Sequence, residues 1–237
     1  MKTRIQKLIP GLIGMAVQTN VVYYREMYAA AAFLGGVEES LHSMMTTINF
    51  SLCVDAFRAA DWSGFSNQLA DAARSLERGG AGFIVITSNT GHTAAEAIRE
   101  AIALPVLDIV DETCLHLDAR KFRKVGLLAT SRTYQSRMYP RAAEGSIEFV
   151  ELSPTLSGKV DQVILNELIF GKVSKEGLDV LGSAMQSQVE KGAECIVLAC
   201  TDLTLIRAQL GELQPLPIVD TTQIHSMAAA RMSFEGY

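Results

Sequence analysis

The sequence predicts an α/β protein with two pseudo-symmetric lobes, each a mainly parallel sheet flanked by helices. Three observations support this prediction. Short apolar strands alternate with helical patterns along the chain, one strand-to-turn pattern occurs twice, and other segments echo each other in the same order in the two halves. A chain of 237 residues is long enough for one large α/β domain or two small ones. We expect the active site to lie in the cleft between the lobes.

The repeated pattern is a Gly-Ala turn, a short apolar run, and then small polar or thiol residues. It reads GAGFIVITSNT over residues 80–90 and GAECIVLACTD over residues 192–202. An apolar run of this length between turn residues is typical of a strand buried on both faces. Because open parallel sheets bind ligands at the carboxyl ends of their strands, Ser88 and Cys200 occupy equivalent candidate positions. We expect them to face each other across the cleft between the lobes.

The elements of the first half are predicted from periodicity and turn residues. Apolar residues at helical spacing define the helix at 61–79, with Phe65, Leu69 and Leu76 on one stripe. Gly35-Gly36 ends the first helix, at 18–32. The predicted elements are strands at 8–15, 43–50, 82–86 and 104–110, and helices at 18–32, 61–79 and 93–103.

The second half repeats this order. GLLAT at 126–130 echoes GLIGM at 11–15, and PIVD at 217–220 echoes PVLD at 105–108. We therefore predict one lobe at 1–113 and a second at 114–219, with the last segment, about 220–237, packing back on the first lobe. The predicted elements are strands at 124–130, 149–152, 195–199 and 217–220, and helices at 133–142, 160–170, 177–191, 203–210 and 222–232.

Composition excludes several classes of function. A net charge of −5 gives no indication of a nucleic-acid or membrane partner, and no apolar run approaches the roughly 20 residues that span a bilayer. The basic N-terminus is followed by only a short apolar stretch, so no secretory signal is expected. The four cysteines form no C-x-x-C pair and the histidines lack zinc spacing, so no metal site is predicted. A reducing cytoplasm is the expected compartment.

Two groups that flank one carbon can remove a proton from one side and deliver a proton to the other. This is the requirement for inverting a stereocentre next to a carboxylate, and a cysteine thiol can do such acid–base work. The carbanion-like intermediate needs hydrogen-bond donors on its carboxylate. The residues predicted to contact the substrate are Met15, Asn89, Thr90, Thr130 and Thr201, which end or follow strands, and Gln18, which begins the first predicted helix.

These segments resemble the cofactor-independent aspartate/glutamate racemase superfamily. The resemblance rests on GLIGM at 11–15, SNTGH at 88–92, GLLAT at 126–130, CTD at 200–202, and DT at 220–221 followed by His225. The resemblance implies two pseudo-symmetric α/β lobes and, since members often dimerise, a homodimer. It also implies two facing cysteines that act without metal or pyridoxal phosphate. By resemblance, Cys200 is the second catalytic cysteine, and the substrate is a small, acidic amino acid such as aspartate or glutamate.

One departure concerns the first catalytic position, where Ser88 replaces the family's cysteine. A serine hydroxyl is several pK units less acidic than a thiol, so it is a poor base unless it is activated. Three explanations remain open: an engineered replacement that traps a ligand, an atypical branch with a hydroxyl residue here, or one-sided chemistry like that of arylmalonate decarboxylase. We favour the atypical branch. The alternatives to a racemase are a single-cysteine decarboxylase or cis-trans isomerase of small dicarboxylates, and a non-catalytic ligand-binding relative.

A second departure concerns the side chain of the substrate. Typical aspartate racemases hold the distal carboxylate with basic residues after the second strand and before the glycine that ends a later helix. Here those places are occupied by the segment 50–54 and by Phe170. Arg58, Lys159 and Lys172 are the basic residues nearest to these places, and we interpret each as a solvated surface charge.

Overall fold

The computed structural model describes residues 6–36, 40–59, 61–213 and 216–236, without the side chains of residues 57 and 58. The chain forms two compact units. The first contains the described residues up to Ile109 together with those from His225 onwards, and the second is Val110–Ile224. The sequence predicts these boundaries at 113/114 and about 220.

The first unit is built on a parallel four-stranded sheet with the strand order β2-β1-β3-β4. Its central strands are shielded on both faces, because the side chains of β3 alternate between two buried apolar clusters. Its elements are β1 (Pro10–Gly14), α1 (Val17–Gly35), β2 (Met44–Thr47), α2 (Phe50–Ala59), α3 (Ser63–Gly79), β3 (Phe83–Ile86), a 3₁₀ turn (Thr90–Ala94), α4 (Ala95–Ala101) and β4 (Val106–Leu107).

The second unit has a parallel sheet with the equivalent order, β6-β5-β7-β8. Every side chain of its central strand β7 is fully buried. Its elements are α5 (Ile109–Ala119), β5 (Lys124–Ala129), α6 (Ser131–Ser136), α7 (Met138–Ala142), β6 (Glu148–Val150), α8 (Pro154–Asn166), a 3₁₀ turn (Leu168–Phe170), α9 (Lys175–Glu190), β7 (Cys195–Ala199), a 3₁₀ turn (Thr201–Ile206), α10 (Arg207–Leu213), β8 (Ile218–Asp220) and the start of α11 (Thr221–Glu235).

Helix α11 begins in the second unit and continues in the first. Its later residues Ala230 and Phe234 join the buried cluster that contains Tyr23 and Met27 of α1. Burial of aromatic side chains of this size contributes roughly 2–3 kcal/mol each. The end of the chain therefore forms part of the core of the first unit.

The sequence-based elements differ from the structure at several places. The strand predicted at 104–110 is only Val106–Leu107, and the unpredicted helix α5 begins at Ile109. The strand predicted at 43–50 ends at Thr47, and the unpredicted helix α2 begins at Phe50. The helix predicted at 133–142 is two helices, because Arg137 between them adopts a left-handed conformation with φ 56°. Helix α8 begins at Pro154, earlier than predicted, because the Ser153 hydroxyl caps it by accepting from the Leu156 amide at 3.4 Å.

Candidate active site

Ser88 lies two residues beyond the end of β3, where the chain turns into the 3₁₀ segment. Its side chain is partly buried, and its Oγ accepts a hydrogen bond from the Gly91 amide at 3.1 Å. A Cβ at Gly91 would come within 2.8 Å of Ile86 Cγ2 and 2.9 Å of Met15 Sδ. A glycine is therefore required for this turn to pack so closely.

The turn after β1 lies beside the same segment and is held by a buried asparagine. Asn20 Oδ1 accepts from the Met15 amide at 3.0 Å and from the Thr87 hydroxyl at 3.1 Å. The Met15 amide, predicted to face the substrate, is thus already bound within the protein. Its thioether packs at Gly91, next to Ser88, and the predicted contact Gln18 lies partly exposed in the first turn of α1. Nothing in the sequence alone distinguishes Asn20 from an ordinary helix residue.

Two buried histidines flank the Ser88 turn. His92 Nδ1 lies 2.7 Å from the Ser88 carbonyl oxygen, and its Nε2 accepts from the Ile109 amide at 3.2 Å. His225 lies beside it, with ring centroids 5.6 Å apart. His225 Nδ1 is 2.9 Å from the Tyr23 hydroxyl, and its Nε2 is 3.0 Å from the Leu107 carbonyl.

Cys200 follows β7 and is almost fully buried. Its Sγ lies 3.8 Å from Asp202 Oδ2. Burial, and then the Asp202 carboxylate, raise the pKa of the Cys200 thiol well above its usual value. The resting group is therefore a neutral thiol with a carboxylate beside it, and a carboxylate can take the thiol proton.

The other predicted contacts of the second unit lie near this cysteine. Because Ala129 pairs with Ala199, Thr130 and Cys200 follow neighbouring strands at the same edge of the sheet. The Thr130 hydroxyl accepts from the Thr133 amide at 3.3 Å and caps α6. Thr201 is buried directly after the cysteine.

The structure thus groups the predicted residues by unit. Ser88, Asn89 and Thr90 form one turn of the first unit, with Asn89 and Thr90 buried. Cys200 belongs to the second unit. The facing arrangement of Ser88 and Cys200 stays a prediction.

Asp202 is a functional candidate that the sequence analysis does not single out. Its carboxylate lies 3.8 Å from the Cys200 thiol. A carboxylate two residues after a candidate catalytic cysteine is the signal that identifies it.

The basic residues considered for a distal carboxylate are solvent-exposed where they are described. Lys159 and Lys172 are exposed, and the side chain of Arg58 lies outside the described residues. Phe170 is 64% exposed, whereas Cys53 of α2 belongs to the same buried cluster as Met15.

Neither a metal site nor a membrane span is found in the described part of the chain. No group of three or more His, Cys, Asp or Glu side chains in it could hold a metal ion. Its helices are all too short or too polar to cross a bilayer.

Residues 12–229 match the family described as Asp/Glu/Hydantoin racemase. The chain belongs to this family. It is 29% identical over 168 residues to the broad specificity amino-acid racemase RacX of Bacillus subtilis, an alignment that covers 70% of this chain and 71% of RacX. It is 26% identical over 158 residues to the glutamate racemase of Thermus thermophilus, covering 66% of this chain and 57% of that protein.

Solved structures of racemases share the fold. A candidate Asp/Glu racemase from Yersinia pestis has a TM-score of 0.83 at 29% identity, and the match covers 97% of this chain and 100% of that one. An aspartate racemase homologue from Pyrococcus horikoshii has a TM-score of 0.76 at 24% identity, with 97% and 100% covered. The α/β fold with two parallel sheets, the superfamily resemblance and the class of amino-acid racemase are confirmed. The atypical branch, the homodimer and the cytoplasmic location stay predictions.

Proposed function

We propose that this racemase inverts the α-carbon of a small amino acid, with aspartate or glutamate as the first candidates, by thiol-based proton abstraction and redelivery without a cofactor. The observation that carries the proposal is the Cys200 thiol with Asp202 Oδ2 at 3.8 Å, at the end of a buried strand equivalent to the one that precedes Ser88. Ser88 and Cys200 act on opposite faces of one α-carbon in this proposal.

The proposed reaction moves protons in three steps, and two exchanges with solvent then restore the resting state. Asp202 takes the Cys200 proton, and the resulting thiolate removes the α-proton of the substrate. The carbanion-like intermediate then accepts the Ser88 hydroxyl proton on its other face, which inverts the centre. Gly91, whose amide donates to Ser88 Oγ, stabilises the alkoxide that remains. Solvent returns a proton to Ser88, and Asp202 releases one to solvent.

Cys200→Ala tests the role of the thiol. We expect the variant to lose α-proton exchange in deuterated water by about 10²–10⁴-fold, the usual contribution of a positioned acid or base. Proton NMR of each enantiomer measures the exchange. Cys195→Ala is a matched control, because this thiol is fully buried within β7. Exchange that persists in Cys200→Ala would refute the role of Cys200.

Ser88→Cys tests the first catalytic position. A thiol there is a much better base than a hydroxyl, so we expect faster exchange of the enantiomer whose α-proton faces residue 88. An unchanged exchange rate would count against Ser88 as a catalytic residue.

The substrate panel follows from the surroundings of the site. The described basic residues considered for a distal carboxylate are exposed, and α2 contributes Cys53 to an apolar cluster. We therefore propose testing neutral amino acids beside aspartate and glutamate.

The presence of a single candidate thiol supports a second candidate function, which is the decarboxylation or cis-trans isomerisation of a small dicarboxylate with Cys200 as the proton carrier. Release of CO₂ or movement of a double bond identifies it. A non-catalytic relative would instead show ligand-induced stabilisation without turnover or exchange.

A further inference from the structure

The protonation states of His92 and His225 follow from their hydrogen-bond partners. An amide N–H can only donate, so His92 Nε2 is the acceptor for Ile109, and its proton is on Nδ1. A carbonyl oxygen can only accept, so His92 Nδ1–H donates to Ser88 and His225 Nε2–H donates to Leu107. Burial lowers the pKa of His225 well below its ordinary value, so this ring is also neutral and its Nδ1 accepts the Tyr23 hydroxyl proton. The two neighbouring rings are therefore neutral and hold opposite tautomers.

We infer that His92 is a positioning residue that fixes the orientation of the Ser88 hydroxyl by holding the Ser88 carbonyl. This inference rests on the proposed function, in which Ser88 delivers the second proton. Ser88 lies between β3 and the 3₁₀ turn, outside either element. The bond from His92 Nδ1 to its carbonyl is 2.7 Å long, and the bond from Gly91 fixes Oγ on the other side. Together the two bonds fix the backbone and the side chain of Ser88.

The His92 ring is itself held in place by a hydrogen bond to its other nitrogen, Nε2. Ile109 is fully buried, and its amide donates to Nε2. Without the hydrogen bond from the Ile109 amide, the ring could carry its proton on Nε2. Nδ1 would then have no proton to donate to the Ser88 carbonyl. Because both ring nitrogens of His92 already make hydrogen bonds within the protein, His92 acts through Ser88 and does not itself carry the substrate's proton.

Two substitutions separate the two bonds of His92. In His92→Asn, the side-chain amide N–H takes the place of Nδ1–H and can donate to Ser88. In His92→Gln, the longer side chain places its carbonyl oxygen near the position of Nε2 and can accept from Ile109. We expect His92→Asn to keep inversion within about threefold of the original, whereas His92→Gln loses about tenfold or more in kcat with little change in KM, because misplacing a reacting group is costly.

The measurement is deuterium incorporation into each enantiomer, separated into retention and inversion. His92→Gln should lose inversion but keep exchange with retention in the enantiomer whose α-proton faces Cys200. Equal losses in both variants, or wild-type inversion in His92→Gln, would overturn the positioning role.

A spectroscopic measurement on the unmodified protein keeps the inference testable if either variant folds poorly. Long-range ¹H–¹⁵N spectra of the imidazole rings distinguish the two neutral tautomers. We expect one buried ring protonated at Nδ1, assigned to His92, and one protonated at Nε2, assigned to His225. A cationic His92, or His92 protonated at Nε2, would overturn the inference.

Failure of this inference differs from failure of the proposed function. If Cys200→Ala keeps full exchange, the proposed function fails, whatever the histidine tautomers are. If Cys200→Ala abolishes exchange and the two His92 variants behave alike, only the positioning role fails.

Discussion

Acidification should destabilise the fold through His225. The ring is fully buried, and burial, followed by the neighbouring His92, lowers the pKa of His225 from its ordinary 6.5 to about 3. The folded protein therefore binds this proton less readily than the unfolded chain does. Above pH 6.5 both states are neutral here, so the free energy of unfolding does not depend on this group. Between pH 6.5 and 3 only the unfolded chain takes up the proton, so stability falls as the pH falls.

The size of this effect follows from the two pKa values. A His225 pKa of 6.5 in the unfolded state and of about 3 in the folded state lowers the free energy of unfolding by about 2 kcal/mol between pH 8 and pH 5. The full loss, reached below pH 3, is about 5 kcal/mol. Urea unfolding at a series of pH values, followed by circular dichroism, measures the part between pH 8 and pH 5.

The control is the double variant Tyr23→Phe/His225→Gln. Glutamine keeps a donor for the Leu107 carbonyl and does not titrate, and phenylalanine removes the hydroxyl that donates to the histidine. Between pH 8 and pH 5, we expect the free energy of unfolding of the double variant to fall by about 2 kcal/mol less than that of the unmodified protein. Burial raises the pKa of Asp161 and of Asp220, so their contributions to the free energy of unfolding are lost as the pH rises. The unmodified protein and the double variant share these contributions, which therefore cancel in the comparison. Parallel pH profiles for the two proteins would refute the reasoning.

Three further substitutions test other contacts. Asp202→Asn should lower the pKa of the Cys200 thiol, measured by the pH dependence of its alkylation, and should reduce inversion by about tenfold or more because the proton acceptor is lost. Gln188→Met should reduce the free energy of unfolding by about 1–3 kcal/mol, since the amide N–H groups of this buried side chain donate to carbonyls of β5 and β6 at 2.7 and 2.8 Å, while the β5 carbonyl keeps another side-chain donor, the Tyr134 hydroxyl. Gly91→Ala should cost about 1–3 kcal/mol in urea unfolding and should slow delivery from Ser88, because the added methyl would push against Met15.

The sheets of this protein could be predicted from sequence because their signals are local. The runs at 83–86 and 195–199 are apolar, end in turn residues and are buried strands in the structure. Helix α2 is harder to predict, because Phe50 follows a strand-like run. Asn49 starts the helix through its side chain, which accepts from the Ser51 amide at 3.2 Å.

The sequence signal for the break between α6 and α7 is a proline. Pro140 lies inside the helix predicted at 133–142, and the structure begins a new helix at Met138, so that the proline falls in its first turn. Arg137 adopts the left-handed conformation that separates the two helices.

The roles of the histidines could not be predicted in the same way. His225 and Leu107 are separated by 118 positions in the chain, and no local pattern shows which ring nitrogen will meet a carbonyl. The direction of the Asp202 side chain, towards the thiol, likewise depends on the path of the chain after β7. Sequence can indicate where such side chains occur, but the donors and acceptors around them are set by the fold.

The two candidate catalytic turns differ in electrostatic character, and this difference predicts an asymmetric racemase. At Ser88, an amide donates to Oγ and favours negative charge there, which suits a group that gives up a proton. At Cys200, the nearby carboxylate disfavours negative charge on sulfur but can accept a proton. In the reverse direction of the proposed reaction the Ser88 alkoxide acts as the base, so we expect kcat to differ between the two enantiomers. Because enantiomers have equal free energies in water, kcat/KM must nevertheless be the same in both directions, and KM must differ in proportion to kcat. Equal kcat values, with equal rates of exchange for the two enantiomers, would contradict this assignment of roles.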